Sequence, residues 1–182
     1  FKKWRALSLT ALLTLLLSII VLSSFFIIER RTAQSVIAFD MLRSKTFADA
    51  CLLSVLLAVF YCSAFMLLPF RLSTLYHLND ARLGLMLLPV TLIMALTSPL
   101  AGRLSDKYSA WPIMATGFTL LMMSALLLCF GDSLISILIL AMVLMGAGWA
   151  AILGPSVAAA LAALPPSRHS QGIGISWTLH NL

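Results

Sequence analysis

Acidic residues are scarce in this 182-residue chain: six Asp and Glu stand against twelve Lys and Arg, and charged residues together make up only 10%. A typical soluble domain carries about 25% charged residues. With 62% of residues hydrophobic and a mean hydropathy of +1.06, no aqueous fold can hide the apolar surface. Cysteine is scarce too, and Cys51 and Cys62, eleven residues apart on one expected helix, are separated by about 16 Å along its axis, beyond disulfide reach. A disulfide scaffold is therefore excluded, and Cys51, Cys62 and Cys129 are expected to be buried thiols that pack like small apolar groups. Metal-ligand clusters of His and Cys, a phosphate-binding loop ending in Lys-Ser or Lys-Thr and a G-x-S-x-G turn are all missing. Gly172-Ile173-Gly174 lacks the third glycine and the strand of a nucleotide site. No metal, cofactor or enzyme activity is expected. The net charge of +6 is scattered over short connections rather than gathered in a stripe, which argues against nucleic acid as a partner.

What the chain has instead is length without charge. Charge-free runs cover 6–28, 50–70, 83–102, 108–131 and 133–167. A hydrocarbon core about 30 Å thick needs roughly 20 apolar helical residues, so each run is long enough to span a bilayer. The pattern predicts helices over 6–28, 47–69, 83–104, 112–130 and 134–164, and a sixth from 170 that is still running at 182. The expected fold class is an all-α integral membrane protein, a polytopic bundle of five complete spans plus the start of a sixth. A start without Met and a stop inside an apolar segment give the expectation of a piece of a larger protein. The first run follows Lys2, Lys3 and Arg5, but it is too long for a signal-peptide core and lacks a cleavage site. Glu29-Arg30-Arg31 stops it at the interface, and Val36, Ile37, Phe39, Met41 and Leu42 suggest a stretch over 32–46 lying along the membrane surface. With alternating spans, Arg30, Arg31, Arg43, Lys45, Arg103, Lys107 and Arg168 share one side, expected to be cytoplasmic; Lys2, Lys3, Arg5, Arg71 and Arg82 take the other.

The segment over 134–164 is longer than a span requires, and Pro155 supplies a bend within it. Gly146, Ala150, Gly154, Ala158 and Ala162 recur at every fourth position, which predicts a flat face for close packing against another helix.

Ser98-Pro99-Leu100-Ala101-Gly102-Arg103-Leu104-Ser105-Asp106-Lys107 resembles the G-x-L-x-D-R/K loop signature of the major facilitator superfamily. Gly102, Arg103, Asp106 and Lys107 would form its cytoplasmic motif loop, with Asp106 near the positive N-terminal end of the next helix. Phe25-Phe26-Ile27-Ile28-Glu29-Arg30-Arg31, Phe39-Asp40-Met41-Leu42-Arg43 and Gly84-Leu85-Met86-Leu87-Leu88-Pro89 are similar to stretches of fourteen-span drug:proton antiporters. So are Gly146-Ala147-Gly148 with Gly154-Pro155, and Leu164-Pro165-Pro166-Ser167-Arg168. The chain departs from the motif where Lys107 is followed by Tyr108-Ser109-Ala110-Trp111 instead of Gly and a basic pair. The resemblance implies helices eight to thirteen of a secondary transporter in the cell membrane, one that exports lipophilic or cationic drugs in exchange for protons. Its partners would be the lipid bilayer, the N-terminal half of the transporter, a small-molecule substrate and the proton. A non-drug substrate, or a degenerate transporter serving as a membrane scaffold, remain the alternatives.

The resemblance further implies that the second, third, fifth and sixth helices line a cavity at mid-depth. Phe60, Tyr61, Phe65 and Met66 offer an adaptable wall for a bulky lipophilic substrate, and Trp149 is a further candidate. Asp49, Arg71, Arg82, Arg103 and Asp132 are expected at helix ends, and His77 and His169 in solvated loops. His180 lies about 15 Å into the last segment, near mid-depth. An imidazole there is suited to relay protons, and Ser176, four residues earlier on the same face, would share its surroundings.

Overall fold

The computed structural model describes residues 16–21, 23–24, 39–77, 79–130 and 134–181. The chain divides into two compact units, Phe1–Ala38 and Phe39–Leu182. In the first, 16–21 and 23–24 are helical with exposed side chains. The expected turning point at Glu29-Arg30-Arg31, Val36 and Ile37 of the surface stretch, Lys2, Lys3, Arg5 and Asp132 lie outside the described residues.

The second unit is built from α1 (Lys45–Tyr76), α2 (Asp80–Tyr108), α3 (Ala110–Phe130), α4 (Ile135–Ala162) and α5 (His169–His180). Short 3-10 turns, Phe39–Arg43 and Pro166–Arg168, precede α1 and α5. α1 to α4 are each long and apolar enough to cross a membrane. Backbone groups have no water to bond inside a bilayer, so the chain stays helical through prolines that would end a helix in water. Pro69 therefore lies inside α1, and that helix runs on to Tyr76, past the expected end at 69, until His77 turns it at φ 48°. α2 starts earlier than expected because Asn79 caps it, its Oδ1 accepting from the Arg82 backbone N–H at 3.0 Å. At its other end α2 continues to Tyr108, and a single residue, Ser109 at φ 99°, separates it from α3.

α4 is the central helix, packed against α3, α2 and α1. Two glycines two residues apart make this possible, because about 100° per residue places them on opposite sides of the helix. A Cβ at Gly146 would fall on the Val90 carbonyl of α2. Gly148 meets Gly117 of α3: a Cβ on Gly117 would come within 2.9 Å of the Gly148 carbonyl, and one on Gly148 within 2.8 Å of the Gly117 carbonyl. Ser124 strengthens the same seam by donating to the Ala141 carbonyl at 2.7 Å.

The small-residue stripe is thus only half of a packing face. Gly146, Ala150 and Pro155 are buried, whereas Gly154 and Ala158 are exposed, and a Cβ on Gly154 would meet nothing within 4 Å. A four-residue step advances the helix by about 400°, so the stripe drifts about 40° per step and about 160° over five positions, and it walks off the interface. Cys62 and Cys129 likewise prove exposed, and only Cys51 is buried.

The outward faces are apolar: Leu85, Leu88, Leu92, Leu96 and Leu100 run along α2 as one exposed row. Hydroxyls in such positions bond to their own helix, as Thr119 does to the Ala115 carbonyl at 2.9 Å and Thr74 to the Phe70 carbonyl at 2.8 Å. Polar groups satisfied in this way are compatible with lipid contact.

Candidate substrate site

α1 carries one inward stripe at helical spacing: Phe47, Cys51, Ser54, Ala58, Tyr61, Phe65, Leu68 and Leu72. Its middle faces α4 and α5, and an aromatic series crosses the three helices there. Phe65 lies edge-on to Trp149 at 5.8 Å, Trp149 lies against Tyr61 at 4.6 Å, Tyr61 is parallel to the His180 ring at 6.3 Å, and Trp177 is edge-on to His180 at 5.5 Å. Contacts of this kind contribute about 0.5–1.5 kcal/mol each beyond their buried area.

His180, 6% exposed, is the buried titratable ring of the series. Its Nδ1 is 3.0 Å from the Ser54 carbonyl and 2.9 Å from Ser54 Oγ. A carbonyl only accepts, so the ring proton belongs on Nδ1 and the lone pair of the neutral ring on Nε2. One turn earlier Ser176 is hydrogen-bonded to Cys51, so α5 holds α1 through two polar rungs, Ser176 to Cys51 and His180 to Ser54. The one buried side-chain nitrogen or oxygen without a hydrogen-bond partner, among the described residues, is Trp149 Nε1. Leaving such a donor unmet costs about 1–3 kcal/mol, comparable to the ring contacts around it.

Four of the expected substrate residues, Tyr61, Phe65, Trp149 and His180, are brought together here. Two are not. Met66 is 79% exposed and points away from the cluster. Phe60, about 100° around α1 from Tyr61, lines a separate open groove of about 790 Å³ between α1 and α3. That groove also holds Arg71, which lies within α1 rather than at its end and donates to the Leu128 carbonyl. Leu128 is in the last turn of α3, where carbonyls lack helical partners and a cation is favoured, which accounts for a charge at this depth. Ser54 and Trp177 were not singled out from sequence. A Ser in an otherwise apolar inward stripe was the available signal for the first, and nothing distinguished the second.

The residues of the expected motif loop form no loop. Gly102, Arg103, Asp106 and Lys107 are the closing turns of α2, and a Cβ at Gly102 would meet nothing within 4 Å. Arg103, Asp106 and Lys107 are exposed, and Lys107 Nζ sits 5.0 Å from the Tyr108 ring centre. An ion pair lies elsewhere: Arg168 Nη1 to Asp40 Oδ2 at 2.6 Å joins the two 3-10 turns. The hydrogen bond from Arg168 holds the Asp40 carboxyl below its ordinary value. Beside it, Gly172 lets α5 settle on Leu164 and Phe47, and His169 is half-buried with Nε2 3.1 Å from the Leu164 carbonyl rather than solvated.

These features define a bundle of apolar helices with an aromatic-walled cluster around a buried His180, the architecture of an integral membrane protein. The family model for the Major Facilitator Superfamily matches residues 1–182, and the chain belongs to that family. It is 30% identical over 156 residues to the riboflavin transporter RibZ of Clostridioides difficile, an alignment covering 85% of this chain and 34% of the relative. It is 30% identical over 158 residues to the multidrug resistance protein Stp of Mycobacterium tuberculosis, covering 83% and 28%. The lincomycin resistance protein LmrB of Listeria monocytogenes is 32% identical over 123 residues, covering 66% and 26%. The chain spans about a third or less of the curated relatives it matches. No solved structure matches it.

Proposed function

We propose that the full-length protein is a secondary transporter of the cell membrane that exports lipophilic or cationic small molecules in exchange for protons. In this reading the cluster of Tyr61, Phe65, Trp149 and His180 belongs to its substrate and proton path. The observation that carries the reading is His180, a buried imidazole hydrogen-bonded through Nδ1 to Ser54; in this reading its Nε2 would carry the transported proton. Aromatic rings around it suit lipophilic substrates and cations, since they bind through area and ring quadrupole without demanding fixed hydrogen bonds. Family membership and the resistance proteins among the relatives support transport of this kind. The exposed charges at the end of α2, Arg103, Asp106 and Lys107, are proposed to meet the remaining half of the transporter on the cytoplasmic side, with Gly102 leaving room for the approach.

A second reading, a non-drug substrate with a flat ring system, is favoured by the row of rings itself and by the riboflavin transporter among the relatives. Flux measurements in everted vesicles of the full-length protein test both. Under an imposed pH gradient, His180→Gln is expected to lower proton-driven drug efflux by about a hundredfold or more, the loss typical of a missing acid–base group. Unchanged flux and unchanged pH dependence in that variant would remove His180 from the mechanism, and riboflavin flux without drug flux would favour the second reading.

A further inference from the structure

We propose that the aromatic cluster selects flat ligands that carry a hydrogen-bond acceptor on the ring edge, and that Trp149 Nε1 is the donor that reads it. The inference rests on the reading of this cluster as a substrate site and narrows its substrate class. Around it, buried polar side chains are partnered: Ser54 with His180, Ser176 with Cys51, Ser124 with the Ala141 carbonyl and Ser156 with the Leu153 carbonyl. Trp149 Nε1 does not. Indole has one donor and no acceptor, so only an acceptor supplied from outside its ring can complete it. Its sequence neighbours Gly148 and Ala150 bring no polar side chain. The rings beside it, Tyr61 at 4.6 Å and Phe65 at 5.8 Å, are only half-buried and hold the indole by ring contact. A flat ligand that enters among these rings can therefore pack against them and place an edge acceptor in the plane of the indole, where the N–H points, adding the missing hydrogen bond. A carbonyl oxygen, a bare ring nitrogen or a carboxylate at the ligand edge meets the requirement. A flat cation without an acceptor stacks but leaves the donor unmet.

Equilibrium binding to the full-length protein in lipid nanodiscs, with acridone and N-methylacridinium as three-ring probes of similar size, decides the matter. Acridone has a ring carbonyl and N-methylacridinium has no acceptor. Trp149→Phe keeps an aromatic ring and removes the donor. It is expected to weaken acridone about tenfold, the loss of one hydrogen bond, and to leave N-methylacridinium within about twofold. Equal loss of both probes, loss of neither, or no binding of acridone to the unaltered protein would overturn the inference. Tyr61→Ala, expected to weaken both probes alike, tests the underlying reading separately: if it changes neither, the cluster is not the substrate site.

Discussion

At the scale of single residues, depth in the apolar layer decides what a polar group does. His180 is held inside by Ser54, Arg71 by the open carbonyl of Leu128, and Asp40 and Arg168 pair in the open at the connections. The last pair has a defined response to acid. Its hydrogen bond lowers the Asp40 titration in the folded protein, so its contribution is fully present above the ordinary carboxylate range and fades as pH falls through the depressed value. In melting curves of the detergent-solubilised protein, Asp40→Asn is expected to reduce stability at neutral pH and to have no further effect at the acid end; an equal offset at every pH would show that the pair is silent. Residue type and spacing made His180, Tyr61, Phe65 and Trp149 legible, because an imidazole or a large ring in a charge-free helix is conspicuous. Ser54 carried only the weak signal of a serine in an apolar stripe, since a hydroxyl in such a helix is usually satisfied by its own backbone, as Thr97 is by the Ile93 carbonyl at 2.7 Å.

At the scale of elements, helix existence follows from run length, while helix ends and contact faces do not. α3 and α4 lie within a few residues of 112–130 and 134–164, because charge or a turn bounds those runs on both sides. α1 and α2 overrun their expected ends: Pro69 does not interrupt α1, since a helix in a bilayer has no other way to satisfy its backbone, and the Gly102–Lys107 motif forms the last turns of α2. Contact faces are set by glycine depth. Gly148→Val pushes a side chain into the Gly117 carbonyl and Leu121, and is expected to destabilise the bundle by about 1–3 kcal/mol. Gly154→Val, with open space at its Cβ, serves as the comparison and is expected to lose far less to overpacking. Equal thermal midpoints for these two variants would mean that the α3–α4 seam is not close-packed.

At the scale of the whole molecule, short connections force neighbouring long helices to alternate direction, and Ser109 alone joins α2 to α3. Arg43, Lys45, Arg103, Lys107 and Arg168 consequently cluster at one end of the unit, and Arg71 and Arg82 toward the other. The greater positive charge at the first end predicts that it faces the cytoplasm. In intact cells carrying a cysteine-free full-length background, Arg82→Cys is expected to react with a membrane-impermeant maleimide and Lys107→Cys only after lysis. The reverse pattern would invert the topology and with it the proposed proton path.

The order of apolar runs, the scarcity of acid groups and the motif residues determined by themselves that the chain is an all-α membrane bundle of the Major Facilitator Superfamily, because a bilayer demands length and apolarity one segment at a time. Tertiary structure alone decided which rings face one another, which glycines touch and which donor is left waiting. Those outcomes depend on helix rotation and crossing, and a rotation of about 100°, the distance between Phe60 and Tyr61, moves a side chain from the groove beside α3 to the cluster around His180.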